Sequence, residues 1–274
     1  PDFGNFALDA GVFVHNCGVV YLQVPGLSAV DVVDWDKRMK WVRAVESRIA
    51  MGVGQGSATI KDSRVEEVLR YGAKAIGVGP DLCERQYIPI PENFGLTSIE
   101  KARDKAGPQL GSVGGGNHFI EMQVDAKDGS VWVMVHCGSR GFGWNAANHY
   151  FYEVSRLRGL PPNRREESWV RRDEALGEEY WNWHNAAANY AVANRWTIVK
   201  GVQEALQAVF GVRAKPYYEI SHNLVQEETV VLPDGTSQRG FVHRKGATRA
   251  FPAGHPDLVG TKWEETGHPV LIPG

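Results

Sequence analysis

Residues 173–210 have the sequence DEALGEEYWNWHNAAANYAVANRWTIVKGVQEALQAVF, and this stretch predicts one long helix that closes at Gly211. Its first residues are acidic, which suits the positive end of the helix dipole. Residues 34–51 carry apolar side chains at three- and four-residue spacing and predict an amphipathic helix. Residues 64–76 repeat that pattern more weakly.

Short apolar segments outside these helices predict strands. Residues 131–135 (Val-Trp-Val-Met-Val) lie between glycines and indicate a buried strand. Further strands are expected at 217–220, 229–232 and 241–243, with a Pro-Asp-Gly turn at 233–235. Residues 84–113 are rich in Pro, Gly, Asn and Ser and predict a long ordered loop. Because strands and long helices mix without regular alternation, we expect an α+β fold, with mixed or antiparallel sheets packed together and flanked by long helices.

Composition narrows the class of protein. The 274 residues include 43% hydrophobic side chains and no apolar run of the roughly 18 to 20 residues that a membrane helix needs. A net charge of −2 gives no overall signature of nucleic-acid binding, so contact with phosphates would need a local basic patch. The three cysteines are Cys17, Cys83 and Cys137, an odd number that argues against a disulfide framework and favours a reducing cytoplasm.

The beginning of the chain has a chemistry of its own. The sequence Gly11-Val-Phe-Val-His15-Asn16-Cys17 resembles the C-terminal splice junction of inteins. An asparagine amide can cyclise onto its own carbonyl and cleave the backbone, with the histidine as general acid. The cysteine can accept the upstream segment by thioester exchange. We expect residues 1–16 to be an intein remnant and residues 17–274 to be the host domain; the alternative is a chance His-Asn-Cys at a turn.

Four residues with metal-binding side chains stand in distinctive motifs. Gly111-Ser-Val-Gly-Gly-Gly-Asn-His-Phe-Ile-Glu121 places His118 directly after a glycine-rich loop. His136 stands at the end of the buried strand, where a side chain is held rigidly, and His222 follows another predicted strand. Together with Cys17 these form a candidate set of one thiolate and three imidazoles, which suits Mn²⁺, Zn²⁺ or Co²⁺. Sequence spacing leaves open whether the four converge.

The order of the motifs resembles the RtcB family of RNA ligases. The matching segments cover essentially all of residues 17–274. They are Cys17-Gly-Val, Gly114-Gly-Gly-Asn-His-Phe119, His136-Cys-Gly-Ser-Arg-Gly141, Ser221-His-Asn223, His243-Arg-Lys-Gly-Ala-Thr-Arg249 and Val270-Leu-Ile-Pro-Gly274.

This resemblance implies a single RtcB-like domain that catalyses a reaction dependent on GTP and Mn²⁺. In that reaction a histidine is guanylylated, GMP passes to an RNA 3′-phosphate, and a 5′-hydroxyl displaces it; 2′,3′-cyclic phosphates are opened first. The implied Mn²⁺ ligands are Cys17, His118, His136 and His222. The implied guanylate-binding residues are Asn117, His118, Phe119, Ile120, Glu121, His222, Asn223, Pro273 and Gly274.

Two departures from the family pattern shape the expectations for this chain. The family's acidic metal ligand precedes the cysteine, where this chain has intein-like sequence. The family's guanylylated histidine belongs to a His-Gly-Ala-Gly motif beyond Gly274, and His243 matches a different family position. We therefore expect a host domain truncated at both ends, which lacks its nucleophile and binds Mn²⁺ weakly.

Basic residues complete the expected site. Arg140, Arg244, Lys245 and Arg249 are predicted to bind the phosphates of RNA or of the nucleotide. The expected partners are RNA, as tRNA halves or broken ends, and GTP. Two other functions stay open: a metal-dependent phosphoesterase with the same ligands, and an inactive fragment with only intein cleavage chemistry. The oligomeric state is also open.

Overall fold

The structure is a computed structural model that describes residues 16–56, 62–82 and 85–271, with only the backbone described at 62, 63 and 166. The first half contains β1 (Cys17–Ser28), α1 (Ala29–Val32), α2 (Trp35–Glu46), α3 (Asp62–Ala75), α4 (Glu100–Gln109), β2 (Phe119–Val124) and β3 (Ser130–Gly138). The second half contains α5 (Arg140–Leu157), α6 (Ala175–Phe210), β4 (Lys215–Ser221), β5 (Asn223–Val231) and β6 (Ser237–Lys245).

Six described strands form two antiparallel sheets. The larger sheet has the strand order β2-β3-β1-β4, and β5 pairs with β6 in a hairpin. The predicted α+β class with antiparallel sheets and long helices is confirmed. The Pro-Asp-Gly turn is also confirmed, since it joins β5 to β6 and Gly235 N donates to Leu232 O at 2.9 Å.

Helix α6 organises the core. It begins close to the predicted start and ends at Gly211, whose φ of 71° is left-handed and whose N–H donates to Gln207 O. Its second half packs with α2 against one face of the larger sheet, where Val20, Leu22 and Val133 are fully buried. Its first half packs against α3, α4 and α5 around Trp183 and Tyr190. The helix therefore runs the length of both apolar clusters.

The other face of the larger sheet carries a small apolar cluster of Val19, Met134, Tyr218 and Ile220. Strand alternation produces this division, because neighbouring residues of one strand point to opposite faces. The polar cluster described below shares this second face, away from α6.

The sequence prediction was wrong in one segment and incomplete in others. The long loop predicted at 84–113 is interrupted by α4, because Lys101-Ala-Arg-Asp-Lys-Ala106 contains good helix formers between its Pro and Gly residues. Strands β1 and β2 and helix α5 were not predicted. None of the described helices combines the length and hydropathy needed to cross a membrane.

Candidate metal centre

Four side chains from separate parts of the sequence meet at one end of the larger sheet. Cys17 is the first residue of β1 and pairs with Gly138 at the end of β3. His136 lies two residues before that end and pairs with Phe119, the residue after His118. His222 occupies the corner between β4 and β5, where its N–H donates to Cys17 O at 2.9 Å. Antiparallel pairing thus brings together residues separated by up to about 200 positions.

The donor atoms of these residues meet as two close pairs. Cys17 Sγ lies 2.9 Å from His118 Nε2, and His136 Nε2 lies 2.9 Å from His222 Nε2. The His118 and His136 rings connect the pairs, with centroids 5.5 Å apart. Within the part of the chain that the structure describes, no three His, Cys, Asp or Glu side chains are already arranged around one ion. Sharing an ion would require these side chains to turn.

Burial sets the protonation of this cluster. It lowers the pKa of His118 and of His222 to about 4, with the neighbouring His136 as the next cause. The pKa of His136 is also lowered, again mainly by burial. The three imidazoles are therefore neutral at physiological pH, which is the form that binds metals. Burial raises the pKa of the Cys17 thiol to about 12, so a bound cation would have to displace its proton.

Glycines make room for this close approach. A Cβ on Gly114 would collide with both the His118 ring and the Arg140 guanidinium. A Cβ on Gly138 would collide with Asn16 O and lie 2.6 Å from Cys17 Sγ. The glycines beside the metal-binding motifs therefore have a steric reason to be there, besides any need for turns.

Two residues of α6 that the sequence did not single out support the cluster. Asn194 is fully buried, accepts a hydrogen bond from Gly111 N, and donates to Ser112 O and Gly138 O. Arg195 is also fully buried and forms an ion pair with Glu219. A sequence signal existed, because Asn-Arg in the middle of an apolar helix must find buried partners.

The predicted guanylate-binding residues do not all share one surface. Burial raises the pKa of Cys17, and a hydrogen bond with the Asn223 side chain opposes that rise in part. The Asn223 Oδ1 also accepts a hydrogen bond from Gly246 N at 2.5 Å. Phe119 contacts the His136 ring, with centroids 5.3 Å apart. Glu121 is exposed, whereas Ile120 packs against the main core on the helix side of the sheet. Asn117 is exposed beside His118.

The four predicted phosphate-binding residues also differ. Arg140 has a left-handed φ of 52° and donates to Ser112 Oγ and to Gly52 O, at 3.1 and 3.0 Å. Arg244 forms a bidentate ion pair with Glu228, at 2.5 and 2.6 Å. Buried Arg249 donates to Gln226. Lys245 is exposed at the end of β6.

Some predicted residues lie outside the described part of the chain. His15, Pro273 and Gly274 belong to this group, as does Cys83. Asn16 alone represents the proposed intein remnant: it is buried, its Nδ2 donates to His184 O at 3.3 Å, and its carbonyl accepts from Ser139 N. The splice-junction interpretation of His15, Asn16 and Cys17 stays a prediction.

The donor set fits a divalent ion. One sulfur and three neutral imidazole nitrogens, which meet at one end of the sheet, are ligands of the kind that Zn²⁺, Co²⁺ and Mn²⁺ accept. Mn²⁺ is the hardest of the three and prefers additional oxygen ligands. Their role as metal ligands stays a prediction.

Comparison with known proteins identifies the family. A family model described as tRNA-splicing ligase RtcB matches residues 5–274. The tRNA-splicing ligase RtcB of Pyrococcus furiosus is 36% identical over 298 residues, covering 96% of this chain and 30% of the relative. Those of Thermococcus kodakarensis and Pyrobaculum aerophilum are 35% and 36% identical, covering 94% of this chain and 58% and 59% of the relatives. This chain thus spans between about a third and three fifths of these relatives, and it belongs to the RtcB family of tRNA-splicing ligases.

Proposed function

We propose that this chain contains the metal centre of an RNA ligase that uses Mn²⁺ and GTP to join a 3′-phosphate or 2′,3′-cyclic phosphate end to a 5′-hydroxyl end. The observation that carries the proposal is the meeting of Cys17, His118, His136 and His222 at one sheet end, in a member of a ligase family. Hydrogen bonds between neutral imidazoles and a thiol contribute little net stability, because neither partner is charged. Stabilisation of the fold alone therefore explains this arrangement poorly.

The residues of the cluster would hold the cation through Cys17 Sγ and the imidazole nitrogens. A divalent ion in that position supplies Lewis acidity and neutralises phosphate charge. Sheet pairing keeps the backbones of these four residues close together before a cation arrives, so that only their side chains would have to turn to share it.

The nucleotide would lie over the exposed edge of the cluster. Asn117 and Glu121 are exposed there and offer an amide and a carboxylate to a guanine or ribose, and the Phe119 ring offers an apolar surface. In the proposed reaction a histidine attacks the α-phosphate of GTP and pyrophosphate leaves. The RNA 3′-phosphate then takes GMP from that histidine, and the 5′-hydroxyl attacks the activated phosphate, so that a phosphodiester forms and GMP leaves.

The test uses the full-length protein with labelled GTP, Mn²⁺ and an RNA pair bearing 3′-phosphate and 5′-hydroxyl ends. We expect label that survives denaturation of the protein, and joined RNA on a gel. Both signals should disappear in His222→Ala and persist in His149→Ala, whose side chain is exposed on α5. Release of inorganic phosphate from the RNA end without label or joining would overturn the ligase proposal and favour a phosphoesterase.

A further inference from the structure

Arg195 lies behind the Cys/His cluster, on the helix side of the larger sheet. It is fully buried in the middle of α6, and its guanidinium forms an ion pair with Glu219 of β4. A terminal nitrogen also donates to Ser221 Oγ at 3.1 Å, and the other donates to Cys137 O at 3.4 Å. One planar group therefore connects α6 to two strands at once.

Two of these contacts are next in sequence to a cluster residue. Ser221 precedes His222, and Cys137 follows His136. On the third strand, Gly18 follows Cys17, and a Cβ on Gly18 would lie 2.8 Å from the guanidinium carbon of Arg195. The guanidinium thus touches β1, β3 and β4 directly behind the end of the sheet that carries the cluster.

The pairing with Glu219 has an electrostatic consequence. An unpaired guanidinium at this depth would repel a cation bound on the other face of the sheet, because the low dielectric of the interior screens charge weakly. Glu219, only 3% exposed, supplies the compensating negative charge. Buried ion pairs contribute little net stability compared with apolar residues of similar volume, because desolvation offsets their attraction. A role in stability alone therefore explains this pair poorly.

We propose that Arg195 and Glu219 are positioning residues, whose buried ion pair holds the ends of β1, β3 and β4 where their Cys and His side chains share one cation. This inference rests on the proposed metal centre. The planar fork of arginine suits the task, since it donates in several fixed directions, which lysine cannot do.

The test replaces the whole pair by apolar residues, Arg195→Met with Glu219→Leu, so that no charge is left unpaired. Thermal unfolding is measured first, and the protein is then titrated with Co²⁺, whose thiolate charge-transfer absorption reports coordination by Cys17. We expect an unfolding temperature within a few degrees of the parent and a Co²⁺ dissociation constant raised by at least about tenfold, as for other residues that orient metal ligands. A matched control, Arg158→Met with Glu174→Leu, removes an ion pair about 30 Å along α6 and should leave Co²⁺ binding unchanged.

A milder variant covers the case in which the double substitution prevents folding. Ser221→Ala removes only the hydroxyl that accepts from Arg195 and should raise the Co²⁺ dissociation constant about threefold, the loss expected for one weak hydrogen bond. Ser155→Ala, at a buried serine of α5, should have no effect. Parent-like Co²⁺ affinity in the folded double variant, or in Ser221→Ala, overturns the inference and leaves the metal centre standing. A parent protein without the charge-transfer band shows instead that the proposed metal centre is wrong, and the inference falls with it.

Discussion

The Cys/His cluster and the basic end of the β5–β6 hairpin are neighbours, because Asn223, which follows His222, pairs with Lys245. Their polar side chains are used differently. In the cluster, neutral donors face one another, and among the described residues no oppositely charged side chain is paired with them. In the hairpin, Arg244 is already bound by both oxygens of Glu228. The cluster side chains are therefore available to a ligand, whereas the charge of Arg244 is already neutralised by an ion pair within the fold.

The largest effect is expected on metal affinity, when a residue of the Cys/His cluster is replaced. His136→Ala should weaken Co²⁺ or Mn²⁺ binding by more than about 100-fold, because it removes a ligand, and the loss of residues that merely orient ligands already costs about 10- to 100-fold. Isothermal titration of the metal measures this directly. His149→Ala, with an exposed ring on α5, is the matched control and should bind like the parent. Unchanged affinity in His136→Ala would show that the cluster is not the metal centre.

The position of a cluster residue such as His136 at a strand end can be predicted from the sequence more readily than the partners of the basic residues. A strand such as β3 can be predicted from a β-branched run between glycines, and the same local pattern shows that His136 stands near the end of that strand. The partners of Arg244 and Arg249 are instead Glu228 and Gln226, which both lie on β5, at least 16 residues earlier in the sequence. A basic motif does not reveal such partners.

The fold was predictable where a pattern is local and strong. Helix α6 is an example, since its acidic start and its final Gly211 are both visible in the sequence. Strand β1 was not predicted, although Val19, Val20, Leu22 and Val24 are all nearly fully buried. A central strand buried on both faces lacks the polar–apolar alternation that identifies a strand, and β1 lies between β3 and β4.

Replacing Arg244 in the β5–β6 hairpin is expected to lower the stability of the fold. Arg244→Ala should lower the free energy of unfolding by about 2 kcal/mol, because it leaves Glu228 buried without its main partner; this is less than the 3–5 kcal/mol of a fully buried pair, since Arg244 is 13% exposed. Lys245→Ala, at the adjacent exposed position, should change it by less than about 0.5 kcal/mol. Urea unfolding of the two variants and the parent makes the comparison. Equal stability of both variants would show that the Arg244 side chain is not committed to Glu228.

The smallest expected effect is on the pH dependence of stability. It concerns His184 of α6, which accepts a hydrogen bond from Val225 N of β5 at 3.1 Å. Burial lowers the pKa of His184 to about 4, from an ordinary value of 6.5. Between these two values the unfolded chain binds a proton that the folded chain does not, so acidification favours unfolding. From about pH 7.5 to about pH 5.5 this residue alone should remove about 1.4 kcal/mol of stability.

His184→Gln tests that contribution, because glutamine can accept the Val225 hydrogen bond but does not titrate. Urea unfolding with a chelator present, at both pH values, should give a smaller loss of stability on acidification in this variant than in the parent, by about 1.4 kcal/mol. The other buried histidines contribute equally to both proteins and cancel in the difference. His149→Gln should keep the full pH dependence of the parent. If His184→Gln keeps it as well, the His184 ring is accessible to protons in the folded state, and the hairpin is attached to α6 less firmly than the hydrogen bond to Val225 indicates.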